Sequence, residues 1–155
     1  MIAVMISIKP QWCELITKKE KTVEVRKTRP KIKTPFKCYI YETKGLYRGS
    51  GGCLFQGLGK VIGEFVCNFI YENLSYDSED TRIPASDLKI YANGRPLYGW
   101  HISDLVIYDK PKSLYEFSKH DNTYDNAFGW MFDDRQKNVQ LTIPPQSWCY
   151  VEVKQ

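Results

Sequence analysis

Lys18-Lys19-Glu20-Lys21-Thr22-Val23-Glu24-Val25-Arg26-Lys27-Thr28-Arg29-Pro30-Lys31-Ile32-Lys33-Thr34-Pro35-Phe36-Lys37 carries nine Lys or Arg and two acids, and its reading decides the rest. The backbone pattern changes inside it. Upstream, Trp12, Leu15 and Ile16 recur at helical spacing after Pro10, whose missing N–H suits a first helical position. Residues 10–19 therefore read as a short amphipathic helix, closed by Lys18 and Lys19 against the negative end of its dipole. Downstream, Thr22 to Arg26 alternates as a strand does, with Val23 and Val25 on one face and Thr22, Glu24 and Arg26 on the other. Lys21 has the wrong parity to join Glu24 on a regular strand, so it must sit in the helix-to-strand turn for the two to meet. Such a run is either a solvated basic face or one wall of an anion-binding cleft.

The distribution of charge favours the cleft. The net charge is +4, but residues 1–60 hold 13 basic and 4 acidic side chains (+9), against 9 and 14 (−5) in residues 61–155. Positive potential is thus gathered near one set of elements, which points to a polyanionic or phosphate-bearing partner. A length of 155 residues suits one domain, and 43% hydrophobic with 14% aromatic residues excludes a disordered chain. No apolar run approaches the roughly 18 to 20 residues of a membrane span. Met1 to Ile8 is apolar but short, with no basic residue before it, and reads as a first strand. Cys13, Cys38, Cys53, Cys67 and Cys149 are scattered without a Cys-x-x-Cys pair, and only two histidines exist. Reduced, mostly buried thiols in a cytoplasmic protein account for them, and no metal or other cofactor is expected.

The remaining segments read mostly as strands. Lys37 to Thr43 sets Cys38 and Ile40 opposite Tyr39 and Tyr41. Gly45 to Gly59 is glycine-rich but has no Gly-Lys-Ser/Thr ending and leads into a strand, so a hairpin is expected and not a phosphate loop. Lys60 to Tyr71 is the longest strand pattern, with Val61, Phe65, Cys67 and Phe69 on one face and Ile62, Val66 and Ile70 on the other. Glu64 interrupts the second face and, if buried, needs a cation or a hydrogen-bond donor. Residues 72–82 form an acidic linker, and Ser86-Asp87 opens a helix that stops near Asn93-Gly94. Tyr98 to Tyr108 is a further strand, Leu114 to Phe117 a helical turn, and 118–138 a surface insertion. Trp148 to Val153 is the last strand, with Cys149, Val151 and Val153 inward. The sum is a single α+β, mainly β domain over 1–155: a small antiparallel β-barrel with a few short helices, closed by its terminal strands.

Ser7-Ile8-Lys9-Pro10-Gln11-Trp12, Lys21-x-x-Glu24-x-Arg26, Gly63-Glu64-Phe65, Trp100-His101-Ile102-Ser103-Asp104-Leu105 and Pro145-Gln146-Ser147-Trp148-Cys149-Tyr150-Val151 together resemble the ASCH domain family, in its branch of small phage and bacterial proteins. The likeness covers most of the chain. It implies a PUA-like β-barrel with a helix-lined cleft for RNA or modified nucleosides. One branch of the family contains acetylcytidine amidohydrolases, and another has been assigned ribonuclease activity. This chain departs from the pattern twice: Lys19 stands where the family carries glycine, and Glu24 where the amidohydrolase branch has threonine.

Two functions follow as expectations. The first is an RNA- or nucleoside-binding protein, monomeric and away from membranes, using Ser7, Lys9, Trp12, Lys21, Glu24, Arg26, Lys27, Arg29 and Trp100. There Lys21 and Arg26 would hold a phosphate or base carbonyl, Glu24 would orient them, and Trp12 or Trp100 would stack on bases. The second is a hydrolase of a modified nucleoside or of RNA, with Lys21, Glu24 and Glu64 as its catalytic groups. His101 reads as a structural histidine.

Overall fold

The N-terminal apolar run forms β1 (Ile2–Ile8), buried along nearly its whole length because it lies in mid-sheet. The computed structural model describes residues 1–49, 51–120 and 139–153. After β1 the chain turns through α1 (Pro10–Thr17) and the short β2 (Val23–Arg26) before β3 (Phe36–Glu42) returns beside β1 in parallel, a pairing that requires such a crossover. The twelve-residue β6 (Lys60–Tyr71) and fifteen-residue β7 (Tyr98–Lys112) continue the sheet antiparallel. On the other side of β1 lie β10 (Trp148–Glu152), then β8 (Ser118–Lys119) and β9 (Val139–Gln140). The eight strands run in the order β2-β7-β6-β3-β1-β10-β8-β9.

The terminal strands do pair, Ile2 opposite Glu152 and Ile6 opposite Trp148. Two features of the expected barrel need correction. The sheet is mixed, because β1 and β3 are parallel, and among the described residues no strand pairing closes it. Side chains bridge the curl instead. Arg26 on edge strand β2 donates to the Ser7 carbonyl on β1, and the Trp148 indole N–H donates to Thr28 Oγ1. The longest strand is β7, which runs through Pro111, and not β6.

Both faces of the sheet are covered. The inner face packs Val4, Ile6, Ile8, Cys38, Ile40, Phe65 and Trp100 against Cys13 and Ile16 of α1. The outer face packs Met5, Tyr39, Tyr41 and Val61 against Leu114, Phe117 and Val151, with Cys149 and Val153 at its margin. A bulge separates Val61 from Phe65, contrary to the simple alternation: Ile40 faces Gly63, but Tyr41 faces Val61. Ile62 is the extra residue, so it turns inward while Val61 turns outward. A Cβ on Gly63 would lie 2.3 Å from the Val106 carbonyl, so only glycine permits β6 and β7 to approach there.

Helix α2 (Ala85–Ala92) ends at Asn93 in the left-handed conformation and sets Leu88 and Ala92 over Val23 and Val25. The glycine-rich segment is a separate hairpin, β4 (Leu46–Arg48) with β5 (Leu54–Gln56). Cys13, Cys38 and Cys67 are buried free thiols, Cys149 is half-buried and Cys53 is exposed. Of the insertion expected at 118–138, residues 118–120 are described and 121–138 lie outside the described residues. Among the described residues no helix is long and apolar enough to cross a membrane.

Candidate functional site

Lys21 reaches the core because of how α1 ends. The Lys19 N–H donates to the Ile16 carbonyl and the Glu20 N–H to the Leu15 carbonyl, the paired bonds of a Schellman motif. That motif requires a left-handed residue, and Lys19 takes it at φ 61°. Glycine takes this conformation freely, and the lysine accepts the same turn at a steric cost. The reversal aims the Lys21 side chain back under the helix, where it is fully buried. Its Nζ donates to the Thr81 carbonyl at 2.6 Å, stands 3.5 Å from Glu24 Oε2, and lies 5.4 Å from the centre of the Trp12 ring.

Glu24 is the centre of the group, with 4% of its side chain exposed. Arg26 Nη1 donates to Glu24 Oε1 at 2.6 Å, and Nη2 donates to the Ser7 carbonyl at 2.6 Å. Burial lowers the Lys21 pKa from its usual 10.5, and the neighbouring Glu24 carboxylate opposes that shift. Register places Trp100 of β7 directly opposite Glu24 of β2, so the two side chains share the inner face. Three polar atoms there are buried and unpartnered: Glu24 Oε2, Arg26 Nε and Trp100 Nε1. Two donors, Arg26 Nε and Trp100 Nε1, and one acceptor that the Lys21 ammonium faces at 3.5 Å thus lack a hydrogen bond. Buried polar groups are seldom left so, since each costs on the order of 1–3 kcal/mol.

The other sequence-designated residues are distributed around this group. Trp12 is half-buried beside Lys21, while Trp100 is wholly enclosed, with Phe36 edge-on at 5.9 Å and Trp148 at 5.9 Å. Ser7 contributes its carbonyl, its hydroxyl being used on the Pro145 carbonyl. Lys9 is exposed at the N-terminus of α1, where its carbonyl accepts the Trp12 and Cys13 N–H groups. Lys27 lies over the Tyr91 ring at 4.6 Å, and Arg29 is paired with Glu72 at 2.6 Å. The structure does not bring Glu64 to Lys21. It points to the outer face, where Lys37 Nζ stands 2.9 Å away and the Tyr108 hydroxyl donates to it at 2.5 Å. Burial raises the Glu64 pKa, but those two hydrogen bonds outweigh it and the net shift is downward. His101 stacks on Phe69 and meets Asn68 through Nδ1, a structural setting.

Sequence reading missed Thr81 and Trp148. Thr81 acts through a carbonyl, which no residue type advertises, and its 3-10 turn (Glu79–Thr81) is held by the Thr22 N–H on the Asp80 carbonyl. Trp148 had a sequence signal, as an aromatic opening the last strand, but its place beside Trp100 depends on the β1–β10 register. Among the described residues no group of three or more His, Cys, Asp or Glu side chains gathers as a metal site would need.

No family model and no curated protein matches the sequence. Solved structures do match the fold. The ASCH protein of Zymomonas mobilis shares 18% identity over 97% of this chain and 87% of its own, with a TM-score of 0.63. A tyrosine-to-phenylalanine mutant of that protein aligns at 17% identity over 97% and 90%, also with a TM-score of 0.63. At this identity the likeness is one of fold: the chain has the mainly-β α+β architecture of the ASCH protein from Zymomonas mobilis.

Proposed function

We propose that the protein is an ASCH family member that recognises a nucleobase, in a nucleoside or in RNA, through the inner-face group of Lys21, Glu24, Arg26 and Trp100. The observation that carries this reading is the set of unpartnered buried atoms, one acceptor on Glu24 and two donors on Arg26 and Trp100. A planar ligand edge offering one amino donor and two acceptors would complement it, which is the pattern of the cytosine pairing edge. Lys21 and Arg26 are committed to Glu24 and to backbone carbonyls, so phosphates fall to the exposed Lys9, Lys27, Lys31 and Lys33. Half-buried Trp12 and Trp148 flank the group and would shift to admit the ligand.

One observation favours the hydrolytic alternative. A buried amine with a lowered pKa beside a carboxylate suits a base or nucleophile acting on an acylated base or on RNA. Calorimetric titration with a nucleoside panel, with mass spectrometry of the same mixtures, tests both readings. The proposal expects cytosine-type nucleosides to bind best. Glu24→Gln should remove the discrimination among bases, at a cost of about 1–3 kcal/mol to the preferred one. Conversion of the ligand, lost in Lys21→Ala, would make the protein an enzyme. Indifference to all nucleosides, with Glu24→Gln indistinguishable from wild type, would reject recognition by this group.

A further inference from the structure

Strands β4 and β5 form a two-stranded hairpin that stands outside the eight-stranded sheet. Its base is built: a Cβ on Gly57 would lie 1.7 Å from the Thr43 carbonyl oxygen and 2.5 Å from Pro10, so only glycine permits that approach. The Gly57 N–H donates to the Gly45 carbonyl, and Glu42 Oε2 accepts the Leu58 N–H at 2.9 Å. At the other end the Gly49 N–H donates to the Cys53 carbonyl. Bonds within the hairpin thus fall at odd positions, and Leu54 and Gln56 turn their N–H and carbonyl groups outward. Strand β4 lies against α1 and β5 pairs with β4 alone, so the outer edge of β5 is the open one.

The side chains along this edge are apolar and basic. By register Leu46, Arg48, Leu54 and Gln56 share one face of the hairpin, while Tyr47 and Phe55 meet on the other with ring centres 5.5 Å apart. Leu46 is 73%, Leu54 63% and Leu58 55% exposed, a cluster of leucines held in water. Lys44, Arg48 and Lys60 are exposed around them, and residues 43–60 contain no acid. Among the described residues these three cations form no ion pair.

We propose that the open edge of β5 receives an extended, acidic segment of a partner protein, added as a third strand with its apolar side chains on the leucine face and its carboxylates among Lys44, Arg48 and Lys60. Each feature selects that occupant. Unpaired strand amides are completed by another strand, leucines by apolar side chains, and cations without acids by carboxylates. A second copy of this hairpin would bring like charges together, and nucleic acid would answer the cations but leave the leucines in water. A lipid surface would bury the open amides of Leu54 and Gln56 without partners. The hairpin uses none of the side chains assigned to the inner-face ligand, so the two readings stand or fall separately.

Panning a random octapeptide library on the full chain, followed by calorimetric titration of the consensus peptide, tests it. Enriched peptides should alternate Asp or Glu with Val, Ile or Leu, and their affinity should fall with salt. Leu54→Ala should weaken the consensus peptide about fivefold or more. Lys44→Ala with Lys60→Ala should weaken it and flatten the salt dependence. Gln56→Pro, which removes one outward N–H, should weaken it about fivefold or more, while Gln56→Ala stays within about twofold of wild type. Methylating alternate amides of the peptide should abolish binding in one parity and spare it in the other, a readout that needs no protein variant. Nucleoside titration of Leu54→Ala should match wild type, which keeps the two sites apart. No enrichment, enriched peptides without acids, or methylation tolerated in both parities would overturn the proposal. So would a concentration-dependent dimer, or sedimentation with phosphatidylglycerol vesicles, that Leu54→Ala abolishes, since these would give the face to a second copy or to lipid.

Discussion

Glu24 and Glu64 are both strand carboxylates with a lysine beside them, yet they face opposite sides of one sheet and have opposite fates. Glu64, 23% exposed on its side chain, is fully answered: Lys37 takes one oxygen and the Tyr108 hydroxyl the other. Glu24, 4% exposed, has one oxygen held by Arg26, while the other lies 3.5 Å from Lys21 without a hydrogen bond. The first arrangement is complete as structure. The second leaves hydrogen-bonding capacity in the core that a ligand or a buried water would use, and this asymmetry is what the proposed recognition role rests on.

The largest effect should come from Lys21→Met, which fills the space but leaves one side of Glu24 without a cation and the Thr81 carbonyl without its donor. A destabilisation of about 3 kcal/mol is expected by denaturant titration, and combining it with Glu24→Gln should cost less than the sum of the single changes. The lowered Lys21 pKa adds a pH signature. The folded state gives up that proton below 10.5 while the unfolded state still holds it, so stability gains with rising pH in that window, and Lys21→Met should lose the gain. A Lys21→Met protein as stable as wild type would break the comparison.

Glu64→Gln should be milder, below about 1 kcal/mol at neutral pH, because that pair is partly solvated. Its carboxyl pKa is lowered in the fold, so its contribution is present above the ordinary value of 4.5 and disappears as pH falls through the lowered one. The variant should therefore lose less stability than wild type on acidification, measured as melting temperature against pH. A Glu64→Gln protein that lost nucleoside discrimination would move the site to the outer face. The smallest effect concerns the turn: Lys19→Gly relieves a left-handed residue at φ 61° and should change stability by less than about 1 kcal/mol, towards stabilisation, with ligand binding retained.

Local pattern determined a large part of this protein. Pro10 with Trp12, Leu15 and Ile16 specified α1, alternation specified β2, and parity alone required Lys21 to lie in the turn between them, as it does. The same pattern marked β6 end to end and the Asn93 stop of α2. These are statements about neighbours in the chain, for which periodicity suffices. Tertiary structure decided what faces what. The parallel β1–β3 pairing left the sheet mixed and open, and the bulge at Ile62 turned Val61 outward. Strand register set Trp100 opposite Glu24 and placed Glu64 opposite Tyr39, in reach of Lys37 and Tyr108. The Thr81 carbonyl found Lys21 across sixty positions of sequence. Register, bulges and backbone carbonyls answer to long-range strand pairing, where one residue of slip exchanges the faces of a strand, and local sequence carries no record of it.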